Sequence, residues 1–148
     1  MIDNTMHILL ADDDQDDRLF FADAFTALSL KINLKMVKNG EELMTYLRTP
    51  NIILPTIIFL DLNMPRKNGI QCLNEIRNDE KLKHLSIAIY STSSSPEDIH
   101  NAFVLGANIY IRKPGNFETL KKVLHKVVTI NWQYHISHLN TETFFLTV

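Results

Sequence analysis

Two short stretches of this chain are apolar at nearly every position and then stop at acids. His7–Ala11 (HILLA) ends at Asp12 and Asp13, and Thr56–Leu60 (TIIFL) ends at Asp61. A strand with one wet face alternates polar and apolar residues. A strand apolar at successive positions is buried on both faces, as in a parallel sheet covered by helices. Ser86–Tyr90 (SIAIY) and Asn108–Arg112 read the same way, and Asn33–Val37 is a weaker strand interrupted by polar residues. Between these runs the apolar residues take helical spacing. Asp17–Leu28 carries Phe21, Ala24, Phe25 and Leu28, Glu41–Arg48 carries Leu43 and Leu47, and Ile70–Arg77 carries Leu73 and Ile76. Ser95-Pro96-Glu97-Asp98 starts a further helix, with Ser as N-cap, Pro at the first helical position and an acid two residues on. Gly106 marks its end, and Phe117–Ile130 is a fifth helix. Five strand–helix alternations predict an α/β fold, a doubly wound five-stranded parallel sheet with helices on both faces.

The length of 148 residues allows one domain, with no space for a second output module. No apolar run approaches the roughly 20 residues of a membrane span, and the N-terminus lacks a secretory pattern. Cys72 is the single cysteine, which excludes an intramolecular disulfide and a cysteine zinc cluster. It reads as a packed or partly exposed helix residue, not a redox site. Fifteen Lys and Arg against 17 Asp and Glu argue against a nucleic-acid surface. These features predict a cytoplasmic protein with no membrane and no nucleic-acid partner. The charge is nevertheless concentrated: Asp12, Asp13, Asp14, Asp16 and Asp17 fall within six residues.

In doubly wound folds, function sits beyond the C-terminal ends of the strands. Those ends carry Asp12 and Asp13, Asp61, Ser91, and Arg112-Lys113-Pro114. Like charges about 4 Å apart at an effective dielectric near 20 repel by about 4 kcal/mol, so such carboxylates must take a proton or a cation. An all-oxygen set suits Mg²⁺. Lys113 offers a point charge to a phosphate and Ser91 a hydroxyl. With no cysteine nucleophile and no glycine-rich phosphate loop there, a carboxylate is the candidate nucleophile for phosphoryl transfer.

The stretches ILLADDD (8–14), IIFLDLNMPRKNG (57–69), IAIYSTSSSPEDI (87–99) and GANIYIRKP (106–114) resemble the receiver domain of bacterial response regulators, over roughly residues 7–130. The resemblance implies the flavodoxin-like (βα)5 fold. It implies that Asp61 accepts a phosphoryl group from a phosphohistidine of a sensor kinase or phosphotransfer protein. Asp12, Asp13, Asp61 and the backbone carbonyl of Asn63 would hold Mg²⁺, with Lys113 and Ser91 on the phosphoryl oxygens. Ser91 is also the switch hydroxyl, with Thr92 the next candidate, and Tyr110 the switch aromatic that turns inward on phosphorylation. Asn63 and Ser93 would tune hydrolysis. The peptide bond before Pro114 is usually cis in this family. A changed surface on helix four, strand five and helix five would then signal to an effector that the sequence does not name. Such a protein catalyses only its own phosphorylation and dephosphorylation.

Two other readings compete. A Mg²⁺-dependent phosphatase of the aspartyl-phosphate type shares the acids and lysine, but it needs a second acid where this chain has Asn63. A pseudo-receiver that only binds a partner would not need the complete acid–hydroxyl–lysine set. Asp14, Asp16 and Asp17 read as acids favoured by a helix N-terminus rather than as site residues. His135 and His138 read as a solvated face. Residues 1–130 form the receiver and 131–148 an extension. The apolar content of that extension (Trp132, Tyr134, Ile136, Leu139, Phe144, Phe145 and Leu146) predicts that helix five continues to about Leu139 and that Phe144–Val148 folds back onto the domain. A self-association or docking role for it stays open, as does a homodimer through helix four, strand five and helix five.

Overall fold

The computed structural model describes residues 5–129 and 144–146. Five strands and five helices alternate: β1 (Met6–Ala11), α1 (Gln15–Ala27), β2 (Ile32–Val37), α2 (Gly40–Leu47), β3 (Ile57–Leu60), α3 (Gly69–Arg77), β4 (Ser86–Ser91), α4 (Pro96–Val104), β5 (Ile109–Arg112) and α5 (Phe117–Thr129). A two-residue strand, β6 (Phe145–Leu146), follows. The sheet is parallel throughout, in the order β2-β1-β3-β4-β5-β6. The expected five-stranded sheet is therefore present, and β6 extends it beyond β5.

The apolar runs form the middle of this sheet because both of their faces are covered. Ile58 and Leu60 of β3 face a core built with Leu43 and Leu47 of α2, Leu73 and Ile76 of α3, and Ala102 of α4. Ile57 and Phe59, offset by one residue, face Phe21 and Phe25 of α1 and Leu120, Leu124 and Val127 of α5. The α1 side is held by edge-to-face rings: Phe21 lies 5.0 Å from Phe59 and 5.4 Å from Tyr90. The weaker pattern of β2 is that of an edge strand, which alternates exposed and half-buried residues.

The caps follow the local sequence. Ser95 accepts from the Asp98 amide, Asn39 from Glu42, and Asn68 forms a reciprocal capping box with Gln71. At the edge opposite the strand C-termini, Arg77 binds four acceptors. It donates to the carbonyls of Gly106 (2.8 Å), Lys83 (2.9 Å) and Leu85 (2.7 Å), and to Asn108 Oδ1 (3.0 Å). This ties the end of α3 to the loops entering β4 and β5. Cys72 is buried against Gly40, and burial pushes its thiol up to about 11, as a packed helix residue should be.

Of the extension, Phe144 is fully buried among Phe103 of α4 and Tyr110 of β5. The described part of the extension thus lies against α4 and β5. The predicted continuation of helix five to Leu139, and the pair His135 and His138, lie outside the described residues. Among the described residues no helix is long and apolar enough to cross a membrane.

Candidate functional site

The parallel strands bring their C-terminal ends to one edge, and the register places them side by side. Ala11 of β1 pairs with Leu60 of β3, and Leu60 pairs with Ile89 of β4. Asp12 and Asp61 therefore follow adjacent strand ends, and both are buried. Asp13 is exposed at the mouth, and oxygens from Asp12, Asp13 and Asp61 lie within 4.8 Å of one another. Ser91 closes β4, fully buried, and its carbonyl accepts from the Lys113 amide at 2.7 Å. That bond seats the Lys113 side chain over the acids.

The Lys113 side chain is 9% exposed, and its ammonium lies 2.9 Å from Asp12 Oδ2, 3.1 Å from Asp61 Oδ2 and 2.9 Å from Asp17 Oδ2. Hydrogen-bond geometry is met toward Asp61 and Asp17. It is not met toward Asp12, whose Oδ2 is buried with no hydrogen-bond partner. The other Asp12 oxygen accepts from the Asp14 amide at 3.0 Å, and the Asp12 carbonyl accepts from Arg18 Nη1 at 2.8 Å. The structure thus unites the predicted Asp12, Asp13, Asp61 and Lys113. It adds two groups that the sequence reading missed, Asp17 and Arg18. Asp17 stands one helical turn after Asp13, a spacing that could have marked it as facing the same edge. Asp14 is the N-cap of α1, accepting from the Asp17 amide at 2.9 Å, as its helix-start reading implies.

Burial, and to a lesser degree the neighbouring Asp12 charge, push Asp61 up to about 6 although Lys113 pulls it down. Burial opposes the Lys113 charge. The close carboxylates of Asp17 and Asp12 and the charge of Asp61 outweigh it, and its pKa is raised. The acids and the single ammonium leave a net negative, all-oxygen pocket with one unsatisfied buried oxygen. These are the properties a hard divalent cation satisfies, so the residues fit Mg²⁺.

Ser91 Oγ accepts from the Ser93 amide at 3.1 Å, and Ser93 Oγ donates to Asp98 Oδ2 at 2.5 Å. Tyr110 is turned inward and fully buried. Its hydroxyl donates to the Ser93 carbonyl at 2.9 Å, and the rings of Phe144 and Phe145 lie 6.2 Å and 5.8 Å away. A satisfied hydroxyl under apolar cover favours this inward position. The peptide bond before Pro114 is trans, the lower-energy form even before proline. Asn63 donates its amide to Asp61 Oδ1 across 3.4 Å.

An acid cluster and a lysine at the C-terminal ends of a doubly wound parallel sheet match the receiver class of signalling domains, and the sequence profile decides for it. The chain belongs to the response regulator receiver domain family, whose sequence profile matches residues 8–125. It is 27% identical over 124 residues to response regulator Rcp1 of Synechocystis, covering 81% of this chain and 84% of that protein. The Mn²⁺-bound structure of Rcp1 superposes with a TM-score of 0.76 at 26% identity, over 84% of this chain and 93% of that one. The phosphorylated cyanobacterial phytochrome response regulator RcpA gives a TM-score of 0.77 at 29% identity, over 92% and 97% of the two chains. The protein is therefore a response-regulator receiver in two-component signalling.

Proposed function

We propose that this protein accepts a phosphoryl group on Asp61 from a phosphohistidine of a sensor kinase or phosphotransfer protein, using Mg²⁺. It then passes the signal on by protein contacts in the cytoplasm. The observation that carries this reading is the buried Asp61 carboxylate, bonded by Lys113 at 3.1 Å and sharing an oxygen cage with Asp12 and Asp13. With its pKa near 6, Asp61 is mostly ionised at pH 7 and so is nucleophilic. Its oxygen forms the new bond to phosphorus as the nitrogen–phosphorus bond of the phosphohistidine breaks, and the nitrogen keeps the electron pair and then takes a proton. Lys113 and the Ser91 hydroxyl are the donors available to the phosphoryl oxygens. Asp12, Asp13, Asp61 and the Asn63 carbonyl would hold Mg²⁺, which supplies charge neutralisation at those oxygens. The phosphatase alternative lacks an acid at Asn63, and the pseudo-receiver alternative leaves the complete charged cage without a use.

The test is incubation with a small labelled phosphodonor and Mg²⁺. Wild type should take up label at one site, and Asp61→Asn none. Equal label in both, or label in neither, overturns the proposal. Turnover of phosphate monoesters over many cycles would favour the phosphatase reading.

We also propose self-association through the C-terminal extension, for which the handedness of β6 is the supporting observation. Helices α2, α3 and α4 pack on one face of the sheet, and α1 and α5 on the other. The steps from β3 to β4 and from β4 to β5 move outward with α3 and α4 on their own face, in the right-handed sense. A step outward from β5 to β6 that carries α5 on the opposite face has the left-handed sense, which parallel crossovers adopt in only about 2% of cases. Supplying β6 from a second copy removes that conflict. Light scattering should find a dimer in wild type and a monomer in Phe144→Asp. A wild-type monomer at tens of micromolar, or a dimer unaffected by the substitution, overturns it.

A further inference from the structure

Lys113 has three N–H groups and three carboxylates around it, yet the three acids differ in kind. Asp12 and Asp61 belong to the set whose oxygens could hold a cation. Asp17 does not. It reaches the ammonium from the first turn of α1, its amide fixed by the Asp14 cap at 2.9 Å, and its hydrogen bond to Lys113 at 2.9 Å is shorter than that of Asp61 at 3.1 Å. Its carboxylate is 39% exposed, whereas those of Asp12 and Asp61 are buried. A lysine bound only to Asp12 and Asp61 would compete with any cation for the same two acids, because one positive charge satisfies what the other needs. Asp17 gives the ammonium a partner outside that competition.

We propose that Asp17 is a positioning residue dedicated to Lys113: it anchors the ammonium from outside the metal-binding set, so that Lys113 stays within reach of Asp61 when a cation takes the other acids. This inference rests on the Mg²⁺ reading above. It also explains why an acid at a helix start points across the site instead of into water. The favourable field of a helix N-terminus is worth only a few tenths to one kcal/mol to an exposed acid and does not require it to face Lys113.

If Asp17 acts through Lys113, its effect depends on Lys113 being present. The experiment is a double-mutant cycle on Mg²⁺ affinity, measured by calorimetry on the full chain for wild type, Asp17→Asn, Lys113→Met and the double variant. Asp17→Asn should weaken Mg²⁺ binding about fivefold more in the wild-type background than in Lys113→Met, a coupling typical of residues in one ion-pair network. Thermal unfolding of each variant with chelator present checks that all four are folded. Equal loss in the two backgrounds would mean that Asp17 acts only as a distant charge, and it overturns the inference while leaving the Mg²⁺ reading intact. A wild type that binds no Mg²⁺ removes both.

Discussion

Metal-free Asp61→Asn protein is expected to be more stable than wild type by on the order of 3 kcal/mol at pH 7.5 and by only about 1 kcal/mol at pH 4.5. The reason is the raised pKa of Asp61, about 6 in the folded protein against 3.8 for the unperturbed acid. Between those two values the native state holds a proton that the unfolded chain has released. Unfolding then releases protons, so stability falls as pH rises through this window and levels off above it. Two pKa units correspond to roughly 3 kcal/mol. Asparagine does not titrate, so the variant escapes the loss. Wild type should regain stability when Mg²⁺ is added, by about 2.7 kcal/mol at a hundredfold excess over the dissociation constant. The variant, lacking one cage acid, should regain less. Urea unfolding at both pH values, with chelator and then with Mg²⁺, measures all three quantities. A wild-type stability that parallels the variant's across the pH range would show that Asp61 is not held away from its charged form.

This stability cost was partly visible in the sequence. Acids directly after doubly buried strands have nowhere to go but the sheet edge, so Asp12 and Asp61 were legible from pattern alone, as were the buried residues of α1, α2 and α3. Lys113 was legible for the same reason. Asp17 was not. An acid near the start of a helix looks the same in sequence whether it serves the helix or reaches a lysine 96 residues away. Which it does depends on how α1 leans on β5, a tertiary fact. Tyr110 was placed on the right strand, but its inward position is set by Phe144 and by the Ser93 carbonyl, neither of which its local pattern reports. The strand β6 was beyond reach because two residues cannot show a period of two. Arg77 looked like an ordinary basic residue in the last turn of a helix. Its four acceptors come from two loops that the sequence places 6 to 31 positions away.

Gly69→Ala is expected to cost 3 kcal/mol or more, roughly the upper range of overpacking, and to slow phosphorylation of Asp61 by about tenfold or more. In an exposed helix interior the same change would stabilise by up to about 1 kcal/mol. Here the sign reverses because of what lies against the α-carbon. A Cβ at Gly69 would stand 2.2 Å from the Asp61 carbonyl oxygen and 2.9 Å from Leu62 Cα. Both are backbone atoms, so no side chain can swing aside. The Gly69 amide also donates to the Leu62 carbonyl at 3.0 Å, which ties the first turn of α3 to the segment it would have to leave. Relief therefore means moving α3, with its capping box at Asn68 and Gln71, or moving the backbone of the phosphoryl acceptor itself. Gly115→Ala is the control: nothing lies within 4 Å of its Cβ position, and it should change stability by less than about 0.5 kcal/mol. Denaturant midpoints for both variants, with the rate of label uptake for Gly69→Ala, decide the matter. A Gly69→Ala protein as stable as the control would mean that α3 slides freely on the strand end. Loss of stability together with slowed uptake would mean that the glycine closing the IIFLDLNMPRKNG stretch is needed because helix and acceptor share one backbone contact.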